Sequence, residues 1–318
     1  MKIRIFIFVL ISFIYSCKKK ELPVPKHSSG NLQKAVIPLT SSYKYQIFFS
    51  LQENKIVYFQ LKTTWDIAFS CKDKNIFLNS SKLMYAYLTN TTQWKSVTDT
   101  IGFEKNKTFD SPTGNTDSTA IGKWWNHPNH IYIISRGYDE NGNFQGFFKF
   151  KVLNYTSSSF VIAVSNVNDT TYFQYTIPLD TNYNVIGFSY SQKTVLSIEP
   201  PKKTWDLQFS QYTEKLSQPY LVVGTLLNRY QTYALKLSNS NFDNTTYSDA
   251  IKFNLSNSLS TIGYDWKVYD FSSSSYVIKP NLFYIIKDQK GYYYKLRFID
   301  FYSSGGEKGY PTFEFQRL

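Results

Sequence analysis

The sequence predicts an all-β protein. Short apolar or alternating runs dominate the chain, and helical periodicity is scarce. Aromatic residues (27 Tyr, 26 Phe and 6 Trp) make up 19 % of the 318 residues. Flat aromatic and β-branched side chains suit a pleated, half-buried surface. A hydrophobic fraction of 42 % against 18 % charged residues excludes disorder throughout. With only 2 Cys and 3 His, a disulfide scaffold and a cysteine-zinc protein are also excluded. The formal charge of +12 is spread along the chain rather than clustered.

The elements follow in order. Lys2 and Arg4 precede an apolar run, Ile5 to Tyr15, of the length of a signal-peptide core and too short to span a bilayer comfortably. It ends at Ile14-Tyr15-Ser16-Cys17, which resembles a bacterial lipobox, with Tyr15 where a small residue is commoner. Residues 1–16 are read as a lipoprotein signal peptide. Cys17 is then the lipidated N-terminus, tethering the chain to a membrane. Residues 17–40 are read as that N-terminus plus a linker, because Lys18-Lys19-Lys20, Pro23 and Pro25 resist packing. An exported chain has no nucleic-acid partner for its Lys triplet. Cys71 is left alone, a small core residue rather than a nucleophile.

Strands are expected at Lys44 to Leu51, Ile56 to Leu61, His130 to Ser135, Phe144 to Leu153, Phe160 to Ser165 and Thr171 to Ile177. Others follow at Tyr276 to Ile278, Phe283 to Ile286 and Tyr292 to Phe301. Hairpin turns are expected at Asp139 to Asn143 and Asp288 to Gly291. Asn79 to Asn90 and Thr225 to Leu237 carry a weak helical alternative.

Two segments repeat. Lys62-Thr63-Thr64-Trp65-Asp66-Ile67-Ala68-Phe69-Ser70 is echoed by Lys202-Lys203-Thr204-Trp205-Asp206-Leu207-Gln208-Phe209-Ser210. Further on, Ile131 to Ile134 and Phe148-Lys149-Phe150-Lys151 have counterparts in Phe283 to Ile286 and Tyr294-Lys295-Leu296-Arg297, in the same order. A duplication accounts for this, giving two related β domains, 41–182 and 183–318. The Trp65-Asp66 and Trp205-Asp206 pairs form its structural repeat. Two copies alone exclude a propeller. Strand alternation puts Trp65, Ile67 and Phe69 on one face, and Trp205, Leu207 and Phe209 likewise. Asp66 and Asp206 then point the other way, to cap a turn or pair with a Lys.

With these elements in place, the chain resembles the HmuY family of Bacteroidetes lipoproteins. The lipobox-like start, the Trp65 strand and the C-terminal run from Tyr276 carry the resemblance. That run includes Gly291-Tyr292-Tyr293-Tyr294-Lys295-Leu296-Arg297-Phe298 and closes with Gly305-Gly306-Glu307-Lys308-Gly309-Tyr310-Pro311-Thr312-Phe313. The resemblance covers residues 45–318, and the chain is longer than the family's single-domain members. It implies antiparallel HmuY-like sheets on a lipid anchor at the outer membrane, displayed at the cell surface. It also implies capture of haem, held by axial His or Met, and delivery to an outer-membrane receptor.

The mature chain offers few axial ligands. His127, His130 and Met84 are the haem or metal candidates; His27 lies in the stalk. His127 and His130 follow Trp124 and Trp125, two indoles that could form an aromatic wall beside an iron ligand. His-Pro-Asn-His supplies at most two of the ligands that zinc needs. No nucleophile elbow, His-Glu-x-x-His, Walker A or Gly-x-Gly-x-x-Gly occurs. A binding protein rather than an enzyme is therefore expected. The alternatives to haem are a carbohydrate or glycoconjugate ligand, or a structural or adhesive surface role.

Overall fold

A computed structural model describes residues 29–215, 217–238 and 241–318. The signal segment, the lipidation expected at Cys17, the Lys-rich stalk and His27 lie outside the described residues.

Every strand-like run read from the sequence overlaps a strand. The chain begins with β1 (Gln33–Val36), β2 (Tyr45–Ser50) and β3 (Lys55–Leu61). Then come β4 (Ile67–Ser70), β5 (Ile76–Leu78), β6 (Tyr85–Leu88), β7 (Tyr132–Ser135) and β8 (Phe147–Thr156). These lead to β9 (Ser159–Asn166), β10 (Phe173–Pro178), β11 (Val185–Ser189) and β12 (Thr194–Leu196). The remainder holds β13 (Leu207–Lys215), β14 (Pro219–Leu227), β15 (Tyr233–Ser238), β16 (Lys267–Asp270) and β17 (Ser275–Ile278). It ends with β18 (Leu282–Lys287), β19 (Tyr293–Tyr302) and β20 (Lys308–Arg317). The helical alternatives do not form: Asn79 to Asn90 holds β6, and Thr225 to Leu237 holds the end of β14 and most of β15. A short helix, α1 (Tyr247–Ala250), starts from a capping box between Thr246 and Asp249.

Paired strands run antiparallel and build two lobes. In the first, a sheet ordered β12-β11-β4-β5 packs on one ordered β10-β9-β8-β7-β6. Ile67, Phe69, Phe148, Phe150, Phe160, Ile186 and Phe188 fill the space between. In the second, β3-β2-β13-β14 packs on β1-β20-β19-β18-β15 over Ile47, Phe49, Leu207, Phe209, Tyr284, Leu296, Phe313 and Phe315. The orders correspond strand for strand. β4 matches β13, and the match runs on until β9 meets β20. The places held by β10, β11 and β12 in the first lobe are then held by β1, β2 and β3 in the second.

Pairing therefore crosses the expected 182/183 border twice. β11 joins β4 in the first lobe, with Ile186 opposite Phe69. β2 joins β13 in the second, with Phe49 opposite Leu207. The start of the chain supplies the strands that complete its end. Alternation specifies which face a strand buries, but it does not name the partner.

The two Trp-Asp segments make the same hydrogen bonds. The Asp66 N–H donates to Phe188 O at 2.9 Å, and the Asp206 N–H donates to Phe49 O at 2.9 Å. Asn79 Nδ2 donates to Lys62 O (2.6 Å) and Trp65 O (2.8 Å). Asn228 Nδ2 donates to Lys202 O (2.8 Å) and Trp205 O (2.7 Å). The shared face expected for Trp65, Ile67 and Phe69 needs correction. The chain turns just before β4, so alternation stops there. Trp65 packs with Ala68, Phe77, Val185 and Ile198, away from the Ile67–Phe69 core. Trp205 packs edge-on to Phe48 at 4.9 Å. Both indoles line one small cavity of about 80 Å³ where the lobes meet.

Candidate functional site

The candidate ligands stand on the first lobe, between β6 and β7. A 3-10 turn spans Trp124–Asn126 and ends with the His127 N–H donating to Trp124 O at 3.0 Å. Pro128 and Asn129 then reverse the chain, Asn129 in the left-handed region that Asn tolerates (φ 61°). The His130 N–H closes the turn on His127 O at 3.1 Å. This reversal brings the two imidazoles together, centroids 5.5 Å apart and planes at 75°. His127 is exposed and His130 half-buried.

The expected aromatic wall is anchored. Trp124 Nε1 donates to Lys74 O at 2.8 Å, and its ring lies 6.2 Å from Phe160 of the first core. Trp125 meets Trp124 edge-on at 5.9 Å, and the Lys74 ammonium sits 5.8 Å from the Trp125 ring. His127 lines an open cleft of about 420 Å³ with Leu88, Ala120, Ile121 and Tyr132 as apolar walls and Lys123 at its side. Neither Trp lines that cleft, so the structure places wall and hollow on neighbouring sides of the turn. Met84 is elsewhere, 2 % exposed and packed inside the first core. Among the described residues, no group of three or more His, Cys, Asp or Glu could hold a metal ion.

The repeated Trp-Asp elements make contacts within the fold. Asp66 accepts the Tyr190 N–H at 2.8 Å and pairs with Lys82 (2.6 Å) and Arg136 (3.3 Å). Asp206 accepts the Leu51 N–H at 2.7 Å. Burial, with Asp288 adding repulsion, pushes the Asp206 carboxyl up to about 7. Cys71 is free and buried, and burial pushes its thiol up to about 11, which suits a core residue.

Several polar groups escaped the sequence reading. Lys149 alternates with Phe148 and Phe150, yet it is buried, donating to Trp94 O (3.0 Å), Val97 O (2.8 Å) and Asp169 O (2.7 Å). Lys295 repeats the clamp on Phe242 O (2.8 Å), Asp243 O (3.1 Å) and Thr245 O (3.3 Å). Between the lobes, burial pushes Glu199 up to about 7 and Asp110 up to about 6. Glu199 accepts the Asn184 N–H at 2.5 Å, and Asp110 accepts those of Leu78 (2.8 Å) and Ala120 (2.7 Å). The shared aromatic-Lys motif could have flagged the lysines; nothing in the sequence marks the two acids.

No helix among the described residues is long and apolar enough to cross a membrane. The chain is similar to several solved structures at low identity. Apo PinO from Porphyromonas gingivitis is 8 % identical with a TM-score of 0.36, over 92 % of this chain and 98 % of that one. The apo HmuY analogue TFO of Tannerella forsythia is 8 % identical with a TM-score of 0.28, over 92 % and 97 %. An HmuY-like protein of Bacteroides vulgatus is 12 % identical with a TM-score of 0.24, over 89 % and 90 %. No curated protein matches the chain. The family model described as HmuY protein matches residues 42–315, nearly all of the two lobes. The chain belongs to the HmuY family.

Proposed function

We propose that this chain is a lipoprotein of the outer-membrane surface, anchored through Cys17, that captures a ligand for uptake. Haem is the leading ligand, and an outer-membrane receptor is the partner that would receive it. The observation that carries this reading is an exposed imidazole, His127, set on the rim of a partly apolar cleft in a member of this family. Such a cleft suits a flat apolar ligand with one polar anchor. The two imidazoles touch edge to face at 5.5 Å, so a macrocycle does not fit between them as they stand. The reading therefore gives iron one imidazole, from His127, with His130 beside it. Met84 would reach a ligand only if the core opened.

Haemin titrated into the chain from Lys18 onward tests this. A Soret band should appear, and His127→Ala should weaken binding by about tenfold or more, the scale of one lost strong contact. An unchanged band in the His127→Ala/His130→Ala variant contradicts the assignment. Loss of palmitate labelling in Cys17→Ser checks the anchor.

A second reading, an adhesive or docking role, rests on the β16–β17 hairpin. Its turn exposes Phe271 at 87 %, with Val268, Tyr269 and Val277 also exposed on its strands. Exposed aromatic faces also suit a glycoconjugate. Glycan-array binding lost in Phe271→Ser, without a haem spectrum, would favour this reading.

A further inference from the structure

We propose that the cleft between the lobes is a second binding site, for an organic anion whose carboxylate is held by Arg229 and whose flat body lies among tyrosines. The cleft measures about 670 Å³ and is separate from the His127 cleft. Tyr183, Tyr230 and Tyr233 line it, with Lys72, Lys202 and Arg229 as cations.

Arg229 is held by its face rather than its edge. Its guanidinium carbon lies 4.0 Å from the Phe77 ring centroid. It forms no ion pair and donates no hydrogen bond to any described residue, so its fork of N–H donors remains for a ligand. Lys202 adds charge nearby, its ammonium 4.9 Å from the Tyr230 ring. The neighbouring acids bear on Arg229 through charge without pairing with it: Glu199 and Asp110 accept backbone N–H groups, and Asp73, which also lines the cleft, caps its own turn at the Asn75 N–H.

The fold itself does not ask for this arginine. Arg229 follows Asn228, which anchors the turn before Trp205 just as Asn79 does before Trp65. The residue after Asn79 is Ser80, whose carbonyl accepts a hydrogen bond from Thr213 Oγ1 at 2.6 Å. The cleft also depends on a close approach by the first lobe. Gly114 sits at φ +73°, and a Cβ there would lie 2.5 Å from Leu259 Cδ1 and 3.1 Å from Arg229 Nη1. Only glycine lets that loop reach the guanidinium.

Calorimetric titration of benzoate and acetate into the chain from Lys18 tests the site. Benzoate should bind, and acetate, which lacks the ring, should bind about tenfold more weakly or worse. Arg229→Met keeps the stem on Phe77 and should weaken benzoate about tenfold or more, as expected for losing a charged hydrogen-bond partner. Arg229→Lys should recover only part. If Arg229→Met does not fold, the Arg229 Nε–H signal of the unaltered chain should shift on adding benzoate. No such shift, equal binding of acetate and benzoate, or unchanged affinity in a folded Arg229→Met would overturn the proposal.

Discussion

Asp66 and Asp206 hold the same place in two lobes built to one plan, yet the charge around them differs. Asp66 faces Lys82 and Arg136, at 2.6 and 3.3 Å. The position just past the strand end is Arg136 in the first lobe and Asp288 in the second, after Tyr132-Ile133-Ile134 and Tyr284-Ile285-Ile286 respectively. Asp206 thus meets another carboxylate, and its Oδ1 has no hydrogen-bond partner. The difference extends further. The buried polar atoms without a partner, among the described residues, lie on Trp205, Asp206, Ser210, Tyr212, Thr225, Trp266, Gln289 and Arg317. All of these belong to the second lobe. One backbone plan therefore tolerates either an ion-paired or a neutral carboxyl at its central turn. What the plan requires is an acceptor for one N–H: Tyr190 in the first lobe and Leu51 in the second.

The largest expected effect is at the paired acid. Asp66→Asn leaves Lys82, 1 % exposed, without its counter-charge. Breaking a buried pair in this way costs about 3–5 kcal/mol, measurable by urea denaturation. Asp206→Asn should be neutral or stabilising at pH 8, because an amide keeps the acceptor for Leu51 and removes a buried charge. Equal destabilisation by both substitutions would break the contrast.

The clamped lysines test the likeness instead. Lys149→Met and Lys295→Met each strand carbonyls that now accept from an ammonium. Each should cost about 2–3 kcal/mol, and the two values should agree within about 1 kcal/mol. A large disparity in denaturation midpoints would show that the clamps are not equivalent.

The pH response sharpens the charge difference. The folded-state value for Asp206, about 7, lies above the ordinary aspartate value of 3.8, so folding favours its protonated form. Its contribution is fully present below about pH 4 and is lost as pH rises through 7. Asp206→Asn should therefore gain on the unaltered chain by on the order of 2 kcal/mol between pH 5 and 8. Lys267, lowered to about 7 by burial, acts in the opposite sense above that pH, but it is present in both chains and cancels in their difference. A flat difference curve would mean that Asp206 is solvated. The smallest effect belongs to the candidate site: His127→Ala, on an exposed turn, should change stability by less than about 0.5 kcal/mol. Ligand binding can then be read without a folding defect.

Much of this architecture was legible. Nine of the strands follow from alternation, and the repeated Trp-Asp turn is visible as near-identity. Three features were not. β1 is four residues long and pairs with β20 at the far end of the chain, a partner that no local pattern names. Trp65 leaves the face of Ile67 because a turn interrupts the alternation. Lys149 looks solvent-facing in sequence, and only the loop carbonyls of Trp94, Val97 and Asp169 make its burial tolerable. At the site, His127 and His130 were legible as a pair. The cleft was not, because its walls come from β6, residues 119–122 and Tyr132 of β7, which together carry no motif.

Ligand capture by the first lobe is tested most directly by hydrogen exchange with and without haemin. Amides from Ala120 to Ile134 should gain protection, while the matching second-lobe segment, Leu282 to Lys287, should stay unchanged. Protection that appears in the second lobe alone, or in neither, would contradict the account.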